Sequence, residues 1–375
     1  MADMAQELVK QDIGITLDNI TVPGLFFADD ICIIAPRKKI HKTMEILEYY
    51  SRLDEIEFSG SKSMALAINF VPKPNETIHL GKIPDGERWD EVNIPFTDVG
   101  KYLGVLFKTK NSMYGAQWES ISARISGTSK MLGVAIRNVV NPTILGELLW
   151  DVYGLPAFAY AWETIHLTKT QLETLDKSHR QYAKLALQVQ HNAKTELIYK
   201  MHMGWKPSIY YEKVKHNFWQ FIKQADNGRW VRAALREMQS WPDCRNSWWK
   251  DMKEILDKRG INYNTHWSKA EFRHYWNMVL RRETDSQETV IHQTIRRYNR
   301  ILHKWWMKWL VGDLRLFGEV WRDVKKCPLC NAEFSWDHLI LYCPEVYGVY
   351  EIRTDLRNSL LSETELTLLS NLIHK

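Results

Sequence analysis

The sequence predicts an α+β chain: a small antiparallel sheet with helices near the N-terminus, then an all-helical region, then a helical C-terminal part ending in a zinc knuckle. Three observations predict it. Two short apolar runs, Leu25–Phe27 and Ile31–Ile34, flank an acidic pair and read as strands joined by a tight turn. From about residue 112 onward the apolar residues recur at helical spacing. Near the end, Cys327, Cys330, His338 and Cys343 stand in a Cys-x2-Cys-x7-His-x4-Cys pattern. With 375 residues, 45% of them hydrophobic, the chain can bury sizeable cores and divides into segments 1–111, 112–204, 205–325 and 326–375.

The acidic pair is Asp29-Asp30. Adjacent carboxylates repel unless a cation lies beside them, and a divalent ion in contact with phosphate suits them. A solvated acidic turn is the plain alternative. Downstream, Ile40–Leu53 reads as an amphipathic helix with Met44, Leu47 and Tyr50 or Ser51 on one side. Phe58-Ser59-Gly60-Ser61-Lys62-Ser63 follows, and then Lys101-Tyr102-Leu103-Gly104-Val105.

Gly24–Ile34 resembles the Phe/Tyr-Ala-Asp-Asp motif of reverse transcriptases, in particular those of non-LTR (LINE-type) retrotransposons, and the later segments resemble further motifs of that family in the same order. The resemblance implies a palm-like sheet, with Asp29 and Asp30 as catalytic carboxylates that bind Mg²⁺. It implies that Lys62 assists the departing pyrophosphate, and that Tyr102 and Gly104 belong to the hairpin that grips the primer end. Glu55 stands where the family often has glycine. Two-metal nucleotidyl transfer needs carboxylates from two separate strands, with ions roughly 3.5–4 Å apart. Only Asp3, Asp12 and Asp18 precede Asp29, none in an apolar strand followed by a long connection. The expectation is therefore the C-terminal part of such an enzyme: palm remnant, thumb and tail, with an incomplete catalytic cage and weak Mg²⁺ binding.

Within 112–204, Thr170-Gln171-Leu172-Glu173 reads as a capping box, followed by Leu172, Leu175, His179, Tyr182 and Ala186 at helical spacing. His179 on that stripe is expected to be a core or interface histidine. Leu148–Glu163 and Met203–Pro207 resemble the thumb of LINE-type enzymes.

Between Trp205 and Lys326 there are 25 Lys and Arg against 14 Asp and Glu, although the whole chain is only +5. A local excess of this size is the footprint of contact with a phosphate backbone. Its clearest element is a helix from about Val290 to Val311. Ile291, Ile295, Tyr298, Leu302, Trp305 and Trp309 form its apolar stripe. Arg297, Arg300, Lys304 and Lys308 form a displaced basic row with Arg296 beside it, read as a nucleic-acid contact in preference to a solvated face. Trp248-Trp249 and Trp305-Trp306 could stack bases, but adjacent residues on a helix point about 100° apart, so one of each pair is expected in the core.

Three thiolates and an imidazole saturate tetrahedral zinc, so Cys327, Cys330, His338 and Cys343 predict a structural site. LINE-type enzymes carry such a knuckle after the thumb, often before a nuclease; the 32 residues after Cys343 hold no nuclease-like acidic constellation. Cys32 is expected in the core. Five cysteines without a disulfide framework fit a reducing intracellular compartment, nuclear, cytoplasmic or organellar. The N-terminus looks like neither a secretory signal nor a transit peptide, and no apolar run approaches the ~20 residues of a membrane span.

Two functions follow as expectations. The first is a non-catalytic, host-retained, reverse-transcriptase-derived protein that binds RNA within a ribonucleoprotein, of which a ribosome is one example. The second is a fragment of an active RNA-directed DNA polymerase whose N-terminal half is supplied separately.

Overall fold

The computed structural model describes residues 2–56, 58–80, 92–110, 113–136, 142–187, 189, 204–241, 247–284, 326 and 331–333. They form an α+β structure with small sheets and many helices, in two compact units interleaved along the sequence.

The first unit gathers Met1–Ala123, Ala159–Thr168 and Tyr211–Trp267. Helix α1 (Ala2–Lys10) precedes two antiparallel hairpins, β1 (Ile15–Leu17) with β2 (Ile20–Val22), and β3 (Gly24–Phe27) with β4 (Asp30–Ile33). Asp18 and Asn19, with φ of +42° and +67°, make the two-residue turn that matches strand twist. Buried Pro23 lacks an N–H and separates the hairpins. Helix α2 (Ile40–Leu53) occupies the predicted span. It buries Thr43, Ile46, Leu47 and Ser51, while Met44 and Tyr50 pack at the edge of the core. That core joins Met4 and Leu8 of α1, Ile13, Ile46, Leu47 and Leu80, with Phe26, Ile31 and Ile33 of the β3–β4 hairpin against it.

Helix α2 ends in a glycine-type cap without glycine. Ile56 N–H reaches Ser51 O at 2.8 Å, and Glu55 sits at φ +52°. This position needs a left-handed backbone, to which glycine is better suited than glutamate.

The strands do not merge into one sheet. β5 (Ala65–Leu66), β7 (Val92–Thr97) and β6 (Thr77–Leu80) form a three-stranded sheet in that order, in which β5 and β7 are parallel. β8 (Val99–Tyr102) and β9 (Val105–Lys108) form another antiparallel pair. Among the described residues, the single antiparallel sheet expected from the sequence is thus four small ones.

The unit also contains most of α7 (Pro207–Gln224), with α8 (Trp230–Ser240) and α9 (Trp248–Arg259). Trp248 is buried against Phe218 and donates from Nε1 to Glu163 O, whereas Trp249 is half-buried against Trp219 and Tyr263. The expected division of this tryptophan pair holds. Beneath them Asp251 Oδ2 lies 2.7 Å from the Lys215 ammonium, 2.5 Å from the Tyr211 hydroxyl and 3.4 Å from His166 Nδ1.

The second unit gathers Arg124–Phe158, Lys169–Tyr210 and the described residues from Ser268 onward. It holds most of α3 (Gly115–Ile136), α4 (Pro142–Leu149), a π-helical turn at Trp150–Gly154, α5 (Leu155–Phe158), α6 (Lys169–Ala186) and α10 (Lys269–Thr284). Helix α6 starts at Lys169, so Thr170 lies inside its first turn and the capping box does not begin at the N-cap. Its buried face carries Leu175, Asp176, His179, Tyr182, Ala183 and Ala186. His179 is a core residue stacked on Trp150 with centroids 4.6 Å apart.

Candidate functional site

β3 and β4 pair in the register Phe27↔Asp30, which leaves Ala28-Asp29 as a two-residue turn. Ala28 takes φ +50°, a left-handed conformation that L-residues other than Gly, Asn and Asp rarely adopt. Because side chains alternate, Phe26 faces the core while Phe27, Asp29 and Asp30 are exposed at the tip. Cys32 on β4 is partly buried, and burial pushes its thiol up.

β8 and β9 pair in the register Tyr102↔Val105, with Leu103 and Gly104 at φ +45° and +82° in the turn. Gly104 is required twice over. Its backbone is left-handed, and a Cβ there would stand 3.0 Å from Tyr160 Cε1. Tyr160 also donates its hydroxyl to Leu103 O at 2.5 Å, so a residue 57 positions further along the chain clamps the hairpin tip. Tyr102 titrates above its ordinary range, chiefly through burial and then through the neighbouring Cys32 and Asp30. The fold therefore brings two motifs, 72 residues apart in sequence at Asp30 and Tyr102, within electrostatic range of each other.

Lys62 lies on an exposed turn where the N–H groups of Lys62 and Ser63 bond Ser59 O at 3.1 and 2.9 Å. Its ammonium makes no ion pair among the described residues. Of the three early aspartates, Asp12 pairs with Lys39 at 2.7 Å and Asp18 with Arg236. Among the described residues no group of three or more His, Cys, Asp and Glu is placed to hold a metal ion.

The segments around Trp150 and Trp205 also meet. Trp150 Nε1 donates to Trp205 O at 2.9 Å, and Trp205 N–H donates to Asp151 Oδ1 at 2.8 Å. Gly204, at φ +84°, lets the chain pass, since a Cβ would lie 2.6 Å from Asp151 Oδ1. Pro207 opens α7 at a position where a missing N–H costs nothing. Asp176, reaching over from α6, accepts from Ser208 N–H at 2.9 Å and Ser208 Oγ at 2.8 Å, and so caps α7 with a carboxylate.

The regional cation excess is partly internal. Lys258 and Arg259 lie 2.7 and 2.5 Å from Glu212, and Lys215 is buried against Asp251. Lys223 donates to Tyr263 O and Thr265 O, both at 2.8 Å. These side chains hold helices together, which tempers the reading of every Lys and Arg from 205 to 326 as phosphate-facing. Sequence reasoning missed this hub because Asp251 and Lys215 lie on different helices. Their only signal is apolar neighbours flanking each charge.

The basic row Arg296, Arg297, Arg300, Lys304 and Lys308, the pair Trp305-Trp306, and the ligand set Cys327, Cys330, His338 and Cys343 lie outside the described residues. At the edge of the ligand set, Lys326 and Glu333 form an antiparallel bridge and Asn331 takes φ +66°. No helix among the described residues is long and apolar enough to cross a membrane.

Comparison of the chain with family models, with curated proteins and with solved structures finds no match.

Proposed function

We propose that this chain is an RNA-binding structural protein of reverse-transcriptase descent, without polymerase activity of its own, acting within a ribonucleoprotein assembly. The observation that carries the reading is the pair of hairpins. The turn exposes Asp29 and Asp30 together at one hairpin tip, within electrostatic range of Tyr102. Two-metal chemistry needs ions clamped from separate strands, and adjacent carboxylates on one turn hold at most one ion weakly.

The Cys327, Cys330, His338 and Cys343 donor set fits a closed structural zinc site. The Lys326–Glu333 bridge supports this reading, because it joins two residues that flank Cys327 and Cys330 in the sequence. Zinc bound there would staple the C-terminal part and leave no position open for catalysis.

The second reading is a fragment of an active RNA-directed DNA polymerase completed by a separate N-terminal half. Left-handed Ala28 at the acidic turn favours it, since backbone strain gathers at functional sites. Primer extension on an RNA template with Mg²⁺ or Mn²⁺ separates the two. The isolated chain is expected to add no nucleotide, and incorporation abolished by Asp29→Ala would overturn the first reading. RNA affinity should fall steeply with salt and should weaken in Arg297→Glu and Lys304→Glu.

A further inference from the structure

We infer that helix α10 is a nucleic-acid contact in its own right, gripping the phosphate backbone of RNA with Lys269, Arg273, His274, Arg281 and Arg282. The inference rests on the RNA-binding reading above and assigns it to a surface outside the 296–308 row.

Helix α10 divides cleanly. Phe272, Tyr275, Trp276, Val279 and Leu280 pack with Trp205 and Ile209, and Trp276 is fully buried. At about 100° per residue these five fall within an arc of roughly 140°. Between Phe272 and Arg282 every other residue is exposed: Arg273, His274, Asn277, Met278, Arg281 and Arg282, with exposed Glu271 and Glu283 at the two ends of this stretch. No acidic residue occurs between Glu271 and Glu283. The helix thus joins a fixed aromatic underside to an outer face that is cationic or neutral along three turns.

This face differs from the other helices of the basic region. On α7 and α9 the cations Lys215, Lys258 and Arg259 are matched by Asp251 and Glu212. On α10, Lys269, Arg273, His274 and Arg282 make no ion pair or hydrogen bond through their side chains among the described residues. A solvated face of a stable helix ordinarily interleaves both signs, as oppositely charged pairs four residues apart stabilise it. Here the like charges at 269 and 273 and at 273 and 281 lie along one side, about 6 Å apart per four residues. That arrangement costs helix stability unless an anion neutralises it. A polyanion with regularly repeated charges is the complement, and guanidinium groups suit phosphate through forked donation.

The test uses the full chain and a short fluorescein-labelled RNA hairpin, with anisotropy read between about 50 and 200 mM salt. Arg273→Glu with Arg282→Glu is expected to weaken binding about tenfold or more and to lower the log–log salt slope by about 2. Arg273→Gln with Arg282→Gln, which keeps helix propensity, is expected to lower the slope by the same amount, with circular dichroism unchanged. Binding and slope equal to those of the unsubstituted chain in both doubles would overturn the assignment of α10. If Arg297→Glu and Lys304→Glu still weaken binding in that case, the RNA-binding reading survives without it. An unsubstituted chain that binds no RNA overturns both.

Discussion

Asp251 shows how much one side chain decides. Burial alone would raise its carboxyl, but His166, Lys215 and Tyr211 together outweigh burial and hold it below the ordinary carboxylate value of 3.8. Asp251→Asn would leave the fully buried Lys215 ammonium without an anion, and should cost about 3–5 kcal/mol in urea unfolding. Adding Lys215→Met should recover a large part of that loss, because the uncompensated charge is then gone. Its neighbour His216 acts at a different pH. Burial, with Lys223 nearby, pushes it from 6.5 down to about 4, so the folded state keeps it neutral. The unfolded chain therefore binds this proton more readily. Stability should be full above pH 6.5, fall between 6.5 and about 4, and fall further below 3.8 as Asp251 protonates. His216→Gln should flatten the upper part of that curve and leave the lower part in place. A conformational position offers the opposite change: Glu55→Gly at φ +52° should raise stability by about 0.5–1 kcal/mol.

At the scale of elements, helix ends and turns set the geometry. Gly204→Ala would drive a methyl group into Asp151 Oδ1 from a left-handed backbone. It should destabilise the second unit by roughly 2–4 kcal/mol, read as an early transition in thermal unfolding. Sequence patterns foresaw helix α2 and the acidic hairpin, because turn residues and helical periodicity are local. They misjudged the start of α6. Thr170 with Glu173 has the composition of a capping box, but the first turn already begins at Lys169. The cap at the other end of that story was not legible at all, since α7 is capped by Asp176 from α6 through Ser208. Nothing in the order of residues announces a cap supplied from another helix.

At the scale of the molecule, charge and metal carry the predictions. The purified chain should contain one zinc per molecule. Cys330→Ser should remove it, and chelation should unfold the region around 327–343 while the β3–β4 and β8–β9 hairpins keep their hydrogen-exchange protection. Retention of metal in Cys330→Ser would exclude the assigned ligand set. The net charge of +5 conceals two different uses of cations. Some, such as Arg259 and Lys215, neutralise buried acids, while Arg273, His274 and Arg282 of α10 are exposed.

Read alone, the residue order determined the α+β class, the span of α2, the acidic hairpin, the inward placing of His179 and the burial of one of Trp248 and Trp249, because each follows from periodicity or turn chemistry within a few residues. Only tertiary structure decided which charges meet which. It set Tyr102 within electrostatic range of Asp30, Tyr160 over Gly104, Asp176 on the end of α7 and Lys215 under Trp248. Those encounters depend on long-range packing of apolar faces, and the spacing of residues along a chain does not encode them one by one.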